Sequence, residues 1–87
     1  MTKKQENSDW IVYILECKDK TLYTGITNNL EKRLQQHNLG QEGAKYTRVR
    51  RPVRCVYQEK QAGRSAATKR EMAIKKLTRS AKLKLIG

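Results

Sequence analysis

The sequence predicts a small α+β domain, a three-stranded and mainly antiparallel sheet flanked by helices in the order β-β-α-β-α-α. Three observations predict it. The run Trp10 to Cys17 (WIVYILEC) is almost wholly apolar and rich in β-branched and aromatic residues, the composition of a strand covered on both faces. A short polar break, Lys18-Asp19-Lys20, separates it from Thr21 to Ile26 (TLYTGI), so the two runs read as a hairpin. Further on, apolar residues recur at helical spacing, interrupted by one alternating stretch, Val53 to Tyr57, that reads as a third strand.

The elements follow in order. Residues 1–9 show no periodicity and almost no apolar content, which marks a disordered lead, and 10–87 form a single domain. A chain of 87 residues buries only about 60–65% of the surface its unfolded form exposes, so the core is modest. Asn28, with Glu31 three positions on, has the spacing of a helix-capping box; Leu30, Leu34 and His37 continue at helical spacing, and Gly40 is the expected stop. Residues 40–51 (GQEGAKYTRVRR) read as a basic loop, and Pro52 suits the start of a strand. Gly63-Arg64-Ser65 breaks the pattern again. Ser65 then caps a second helix running to about Leu77, and Ser80 caps a last one from Ala81 to Ile86.

Charge bears on partners rather than on fold. Lys and Arg total 20 against 8 Asp and Glu, a formal charge of +12. Nucleic acid is the polyanion such a surface fits best, with an anionic membrane or an acidic protein as alternatives. The charge is uneven: Arg48, Arg50, Arg51 and Arg54 crowd one segment, and Lys69, Arg70, Lys75, Lys76, Arg79, Lys82 and Lys84 crowd the C-terminal third. No apolar run approaches the ~20 residues of a membrane span. The first nine residues lack an apolar signal core, so a cytoplasmic protein is expected. Cys17 and Cys55, with a single histidine, make neither a disulfide framework nor a four-ligand zinc site and read as free thiols. There is no glycine-rich phosphate loop leading into Lys-Ser/Thr, and no Ser/His/Asp or Cys/His set.

Chemistry can arise in three places. If the hairpin turn is centred on Asp19, Leu15 faces Tyr23 and Tyr13 faces Gly25, so Tyr13 and Tyr23 project from one sheet face and Gly25 leaves room for a ligand. Each tyrosine taken singly also suits a core ring with its hydroxyl at the rim. Arg33 and His37, four apart, share a helix face beside the Leu30/Leu34 stripe; they can meet a sheet-face tyrosine or simply be solvated at a helix end. Glu71 is the only acid after Glu59 and lies beside the inward stripe of Ala67 and Ile74. Its partner is either Lys75 at i+4 or a hard cation.

The ordered set Ile11-Val12-Tyr13, Tyr23-Thr24-Gly25, Arg33 with His37, then Glu71 resembles the GIY-YIG nuclease domain over Trp10 to Ile86, and Gly43-Ala44-Lys45-Tyr46-Thr47 looks like a loop of its short stand-alone bacterial members, the YhbQ-like group. The chain departs from the motif at Ile11 and Thr24 and has no asparagine after Asn38, where larger members carry a late one. The resemblance implies a metal-dependent DNA endonuclease, with structure selectivity and a link to DNA repair or recombination as further expectations. It implies that Tyr13 is the base or positioner of the attacking water, that Tyr23 bonds the phosphate or that water, and that Arg33 opposes charge at phosphorus. It also implies that His37 orients Tyr13 or accepts its proton, and that Glu71 holds Mg²⁺ or Mn²⁺. Gly25, Lys45, Tyr46, Arg48, Arg50 and Arg51 are the candidate substrate contacts. The competing classes are a weakly catalytic or non-catalytic basic module that binds nucleic acid, and a small adaptor for an acidic protein.

Overall fold

The computed structural model describes residues 9–40 and 45–87; the expected disordered lead, up to residue 8, and the Gly43-Ala44 pair lie outside them. Strand β1 (Trp10–Glu16) runs between β2 (Leu22–Thr27) and β3 (Arg54–Gln61), antiparallel to both. Helix α1 (Leu30–Asn38) and the single turn α2 (Lys45–Arg48) connect β2 to β3; α3 (Arg64–Lys75) and α4 (Arg79–Ile86) follow. The expected architecture is present with one addition. The basic segment read as a loop contains α2, which turns Thr47 fully inward. No helix among the described residues is long and apolar enough to cross a membrane.

The apolar run of β1 is explained by cover on both sides. Val12 and Ile14 point to one face, where Ala67 and Ile74 of α3 meet them together with Leu85 and Ile86 of α4. Tyr13, Leu15 and Cys17 point to the other, against Leu30 and Leu34 of α1. The hairpin turn holds Lys20 at φ 71°, and Asp19 Oδ1 accepts from the Thr21 hydroxyl at 2.6 Å and the Thr21 amide at 3.2 Å. Strand β3 is longer than its apolar core suggested, because its second half is polar. There Glu59 gathers the Tyr57 hydroxyl at 2.5 Å, Gln61 Nε2 at 2.6 Å and Arg70 Nε at 2.8 Å. The pairing with β1 slips between Ile14 and Leu15, and this bulge puts both Val56 and Tyr57 on the α3 side.

Helix boundaries shift for identifiable reasons. Asn29, not Asn28, caps α1, accepting from the Lys32 amide at 3.1 Å, while the Thr27 hydroxyl accepts from the Asn29 amide. Gly63 precedes α3, and Thr78 rather than Ser80 caps α4, accepting from the Ala81 amide at 3.1 Å. At the far end of α1 the side chain of Asn38 pairs with Val53 like a short ladder, donating to its carbonyl at 3.0 Å and accepting from its amide at 2.8 Å. Arg51 closes the same end: its guanidinium donates to the carbonyls of His37 (2.5 Å), Gln36 (3.3 Å) and Gly40. The Arg51 guanidinium therefore caps the C-terminal end of α1, where a cation meets the open carbonyls and the negative end of the dipole, so this member of the basic run has a partner within the fold. Arg51→Gln should lower the unfolding free energy by about 2 kcal/mol, the scale of hydrogen bonds to a charged group, as read by urea titration.

Candidate active site

The hairpin register brings the first two site residues together. Leu15 pairs with Tyr23 and Tyr13 with Gly25, so both tyrosines lie on the α1 side of the sheet. The room above Gly25 is taken by the protein itself. A Cβ there would sit 2.5 Å from the Tyr13 hydroxyl oxygen and 2.7 Å from its Cζ, so the Tyr13 ring crosses the glycine where a ligand was expected.

Helix α1 supplies the next two. His37 is its one fully buried residue, further inside than Leu30 or Leu34, whose stripe it was expected only to flank. Its Nε2 lies 3.0 Å from the Tyr13 hydroxyl and its Nδ1 2.7 Å from the Thr47 hydroxyl. The Tyr23 ring meets the imidazole edge-on at 5.3 Å between centroids. Burial pushes the Tyr13 hydroxyl up to about 12, against a hydrogen bond from Arg33 that lowers it, and the charges of Tyr23 and Glu71 raise it further. Burial, then the nearby Arg33 and Arg51 guanidinia, push His37 down to about 4. Both groups are neutral at pH 7. Arg33 has only donors to offer, so the Tyr13 oxygen accepts from it and the Tyr13 O–H donates to Nε2; Nδ1–H then donates to Thr47.

A buried neutral histidine makes stability depend on pH. Above pH 6.5 neither the folded nor the unfolded form protonates it. Between 6.5 and about 4 only the unfolded chain takes up the proton, so stability falls as pH falls. From pH 7 to pH 5 the loss should be roughly 2 kcal/mol. The carboxyls of Glu59, where burial is outweighed by hydrogen bonds, and of Asp19, hydrogen-bonded by Thr21, lie below their usual values. Their protonation lowers stability in the same direction, but that loss sets in only as pH falls into the ordinary carboxylate range, below the pH 5 end of the comparison. Urea titrations at the two pH values should show the drop in wild type and lose most of it in His37→Gln.

Glu71 comes from the opposite layer. Helix α3 packs on the Val12/Ile14 face, yet Glu71 lies within electrostatic range of the Tyr13 phenol. One turn on from Glu71, Lys75 lines an open cleft together with Leu22, Tyr23 and Thr24 of β2 and with Tyr46. Glu71 Oε2 is 3.3 Å from Lys75 Nζ, so the ion pair weighed for it is present. The glutamate is four-fifths buried, with its side chain 19% exposed. Tyr13, Tyr23, Arg33 and His37 thus gather at one place, and Glu71 acts on the Tyr13 phenol electrostatically from the other layer. Among the described residues no cluster of three His, Cys, Asp or Glu could hold a metal. The donor set on offer is a single carboxylate, which fits a cation that keeps most of its waters, as Mg²⁺ does, and does not fit zinc.

The basic segment divides. Lys45 and Arg48 are exposed. Arg50 is engaged within the fold: Nε donates to Asp19 Oδ2 at 3.1 Å, Nη1 to the Tyr46 carbonyl at 3.0 Å, and its guanidinium lies 3.9 Å from the Tyr46 ring centroid. Tyr46 in turn stacks on Tyr23 at 6.1 Å. Thr47, which fixes the outer nitrogen of His37, escaped the sequence reading. A threonine in a run of basic residues carries no sign of burial until the turn of α2 is known.

A family model described as the GIY-YIG catalytic domain matches residues 9–84. A UPF0213 protein of Syntrophus aciditrophicus is 61% identical over 75 residues, covering 86% of this chain and 86% of that one. One from Clostridium perfringens is 61% identical over 76 residues, covering 87% and 81%. The solution structure of a UPF0213 protein from Bacillus halodurans superposes with a TM-score of 0.57 at 40% identity, covering 90% of this chain and 82% of that one. The shared fold, the matched span and the tyrosines in register on one sheet face lead to the same conclusion: the chain belongs to the GIY-YIG catalytic-domain family, a family of nucleases, alongside its UPF0213 members.

Proposed function

We propose that this protein is a metal-dependent endonuclease that hydrolyses phosphodiester bonds in DNA, with a preference for branched or unpaired structures. The observation that supports it most is the Tyr13 hydroxyl, bonded to a neutral His37 and acted on by Arg33, Tyr23 and Glu71. Glu71 would hold a hydrated Mg²⁺ or Mn²⁺, which would supply Lewis-acid chemistry. Arg33 opposes the negative charge that develops at phosphorus, and Tyr23 donates a hydrogen bond to a phosphate oxygen or to the attacking water.

Proton movement constrains the role of Tyr13. In the resting site, transfer from a phenol near 12 to an imidazole near 4 is uphill by on the order of ten kcal/mol, so a free tyrosinate is not the base. A relay avoids it. The Tyr13 oxygen receives the proton of the attacking water while its own passes to His37 Nε2. The new O–P bond forms, the bond to the leaving oxygen breaks, and the imidazolium gives its proton back to the Tyr13 oxygen, whose own proton passes to the leaving oxygen or to solvent. Thr47 holds Nδ1–H throughout, so the ring presents the correct nitrogen.

The test is nicking of supercoiled, branched, single-stranded and duplex DNA, with and without Mg²⁺. Cation-dependent cleavage of at least one substrate is expected. Salt-sensitive binding with no cleavage of any substrate by folded protein would replace the enzyme with a nucleic-acid-binding module.

A further inference from the structure

The cleft at the β2 edge, about 250 Å³, is lined by Leu22, Tyr23, Thr24 and Tyr46 together with Lys75 and Lys82. Pockets for drug-sized ligands start near ~300 Å³, so this one suits a single nucleotide unit and not a duplex. Its lining combines two chemistries. Tyr46 is 37% exposed, carries the Arg50 guanidinium over its ring at 3.9 Å and stacks on Tyr23, whose ring meets the His37 imidazole edge-on, so an aromatic row backed by a cation runs from the proposed reaction centre toward solvent. In the same cleft Lys82 is half-buried, and its amine makes no hydrogen bond or ion pair among the described residues. Lys75 is bound to Glu71 alone. An ammonium with no anionic partner beside an aromatic row leaves its charge available to a phosphate.

We propose that this cleft binds one unpaired nucleotide of the DNA strand next to the scissile phosphate, its base against Tyr46 and Tyr23 and its phosphate on Lys82 and Lys75. Neither lysine was among the candidate site residues of the sequence. An unpaired base is required because only a base out of its stack can lay a face on side chains inside so narrow a cleft. Paired DNA could reach the lysines with phosphates but could not reach the tyrosines. The inference rests on the nuclease reading for the position of the scissile bond, but the binding it describes does not need cleavage.

Binding can therefore be read without turnover, by fluorescence anisotropy of the whole protein in EDTA. The ligands are a short single-stranded oligonucleotide, the same strand with one abasic position moved along it, and a blunt duplex. Stacking on an aromatic side chain predicts that Tyr46→Ala weakens the single strand about tenfold and the duplex less than about twofold, and that Tyr46→Phe restores it. Lys82→Gln should flatten the salt dependence of single-strand binding by about 0.7 in log–log slope. In wild type, one abasic position should weaken binding by a similar factor to Tyr46→Ala, a readout that needs no variant to fold. Equal binding of abasic and intact strands, or equal losses for strand and duplex in a folded Tyr46→Ala, would overturn the cleft as a base site. The two ideas separate cleanly. Base-dependent binding without any nicking leaves the cleft and removes the enzyme; nicking with no dependence on Tyr46 or on the base does the reverse.

Discussion

Glu71→Gln should abolish cation-dependent nicking, a loss of at least about a thousandfold or ~4 kcal/mol in the barrier, while DNA binding in EDTA persists. The size follows from what the side chain is asked to do. Among the described residues the site has one acidic group near Tyr13, and no neighbouring carboxylate or imidazole cluster could take over a cation. Glutamine keeps the shape and can still meet Lys75, but it no longer has the charge that holds a dication. The fold should barely notice. The pair Glu71–Lys75 is an i,i+4 bridge with the lysine 53% exposed, worth about 0.3–0.5 kcal/mol. A urea midpoint close to wild type beside a lost nicking signal is thus the expected pair of results. A Glu71→Gln protein that nicks at the wild-type rate would sink the assignment and expose a contaminating nuclease.

The second large effect concerns the Tyr13 hydroxyl and can be obtained in two independent ways. Tyr13→Phe deletes the relay atom and should lower the rate by about 10²–10⁴-fold, the range of general acid–base catalysis. It also leaves the buried Nε2 of His37 without its donor, at a cost of about 1–3 kcal/mol. Gly25→Ala removes no functional atom at all. Its methyl would fall 2.5 Å from the Tyr13 oxygen, so the phenol must leave His37, and the ring is 1% exposed with little space to retreat. Loss of activity in Gly25→Ala comparable to Tyr13→Phe, with a reduced urea midpoint, is expected. If Gly25→Ala were fully active and as stable as wild type, Tyr13 would not need the position from which the relay is argued.

How much of this was legible beforehand varies by residue. The placement of Tyr13 opposite Gly25 followed from counting across an Asp19-centred turn, because strand side chains alternate strictly and a hairpin of known length has one register. Arg33 and His37 on one helix face followed in the same way from helical spacing. What the count could not reveal was depth. His37 was expected at the rim of an apolar stripe and is instead buried beneath it, because Thr47 and Tyr13 give both ring nitrogens a partner. Arg51 was indistinguishable from its basic neighbours, since nothing local says which guanidinium will find the end of α1.

Local pattern, then, was enough for the order of the strands and the longer helices, the hairpin register that pairs Tyr13 with Gly25, and the shared helix face of Arg33 and His37, since each depends on periodicity or on near neighbours in the chain. The electrostatic reach of Glu71 to Tyr13 was another matter. Helix α3 covers the opposite face of the sheet from α1, yet the Glu71 carboxylate acts on the Tyr13 phenol. That depends on how far a helix overhangs a three-stranded sheet, a balance of packing on Ala67 and Ile74 that no stretch of sequence encodes alone.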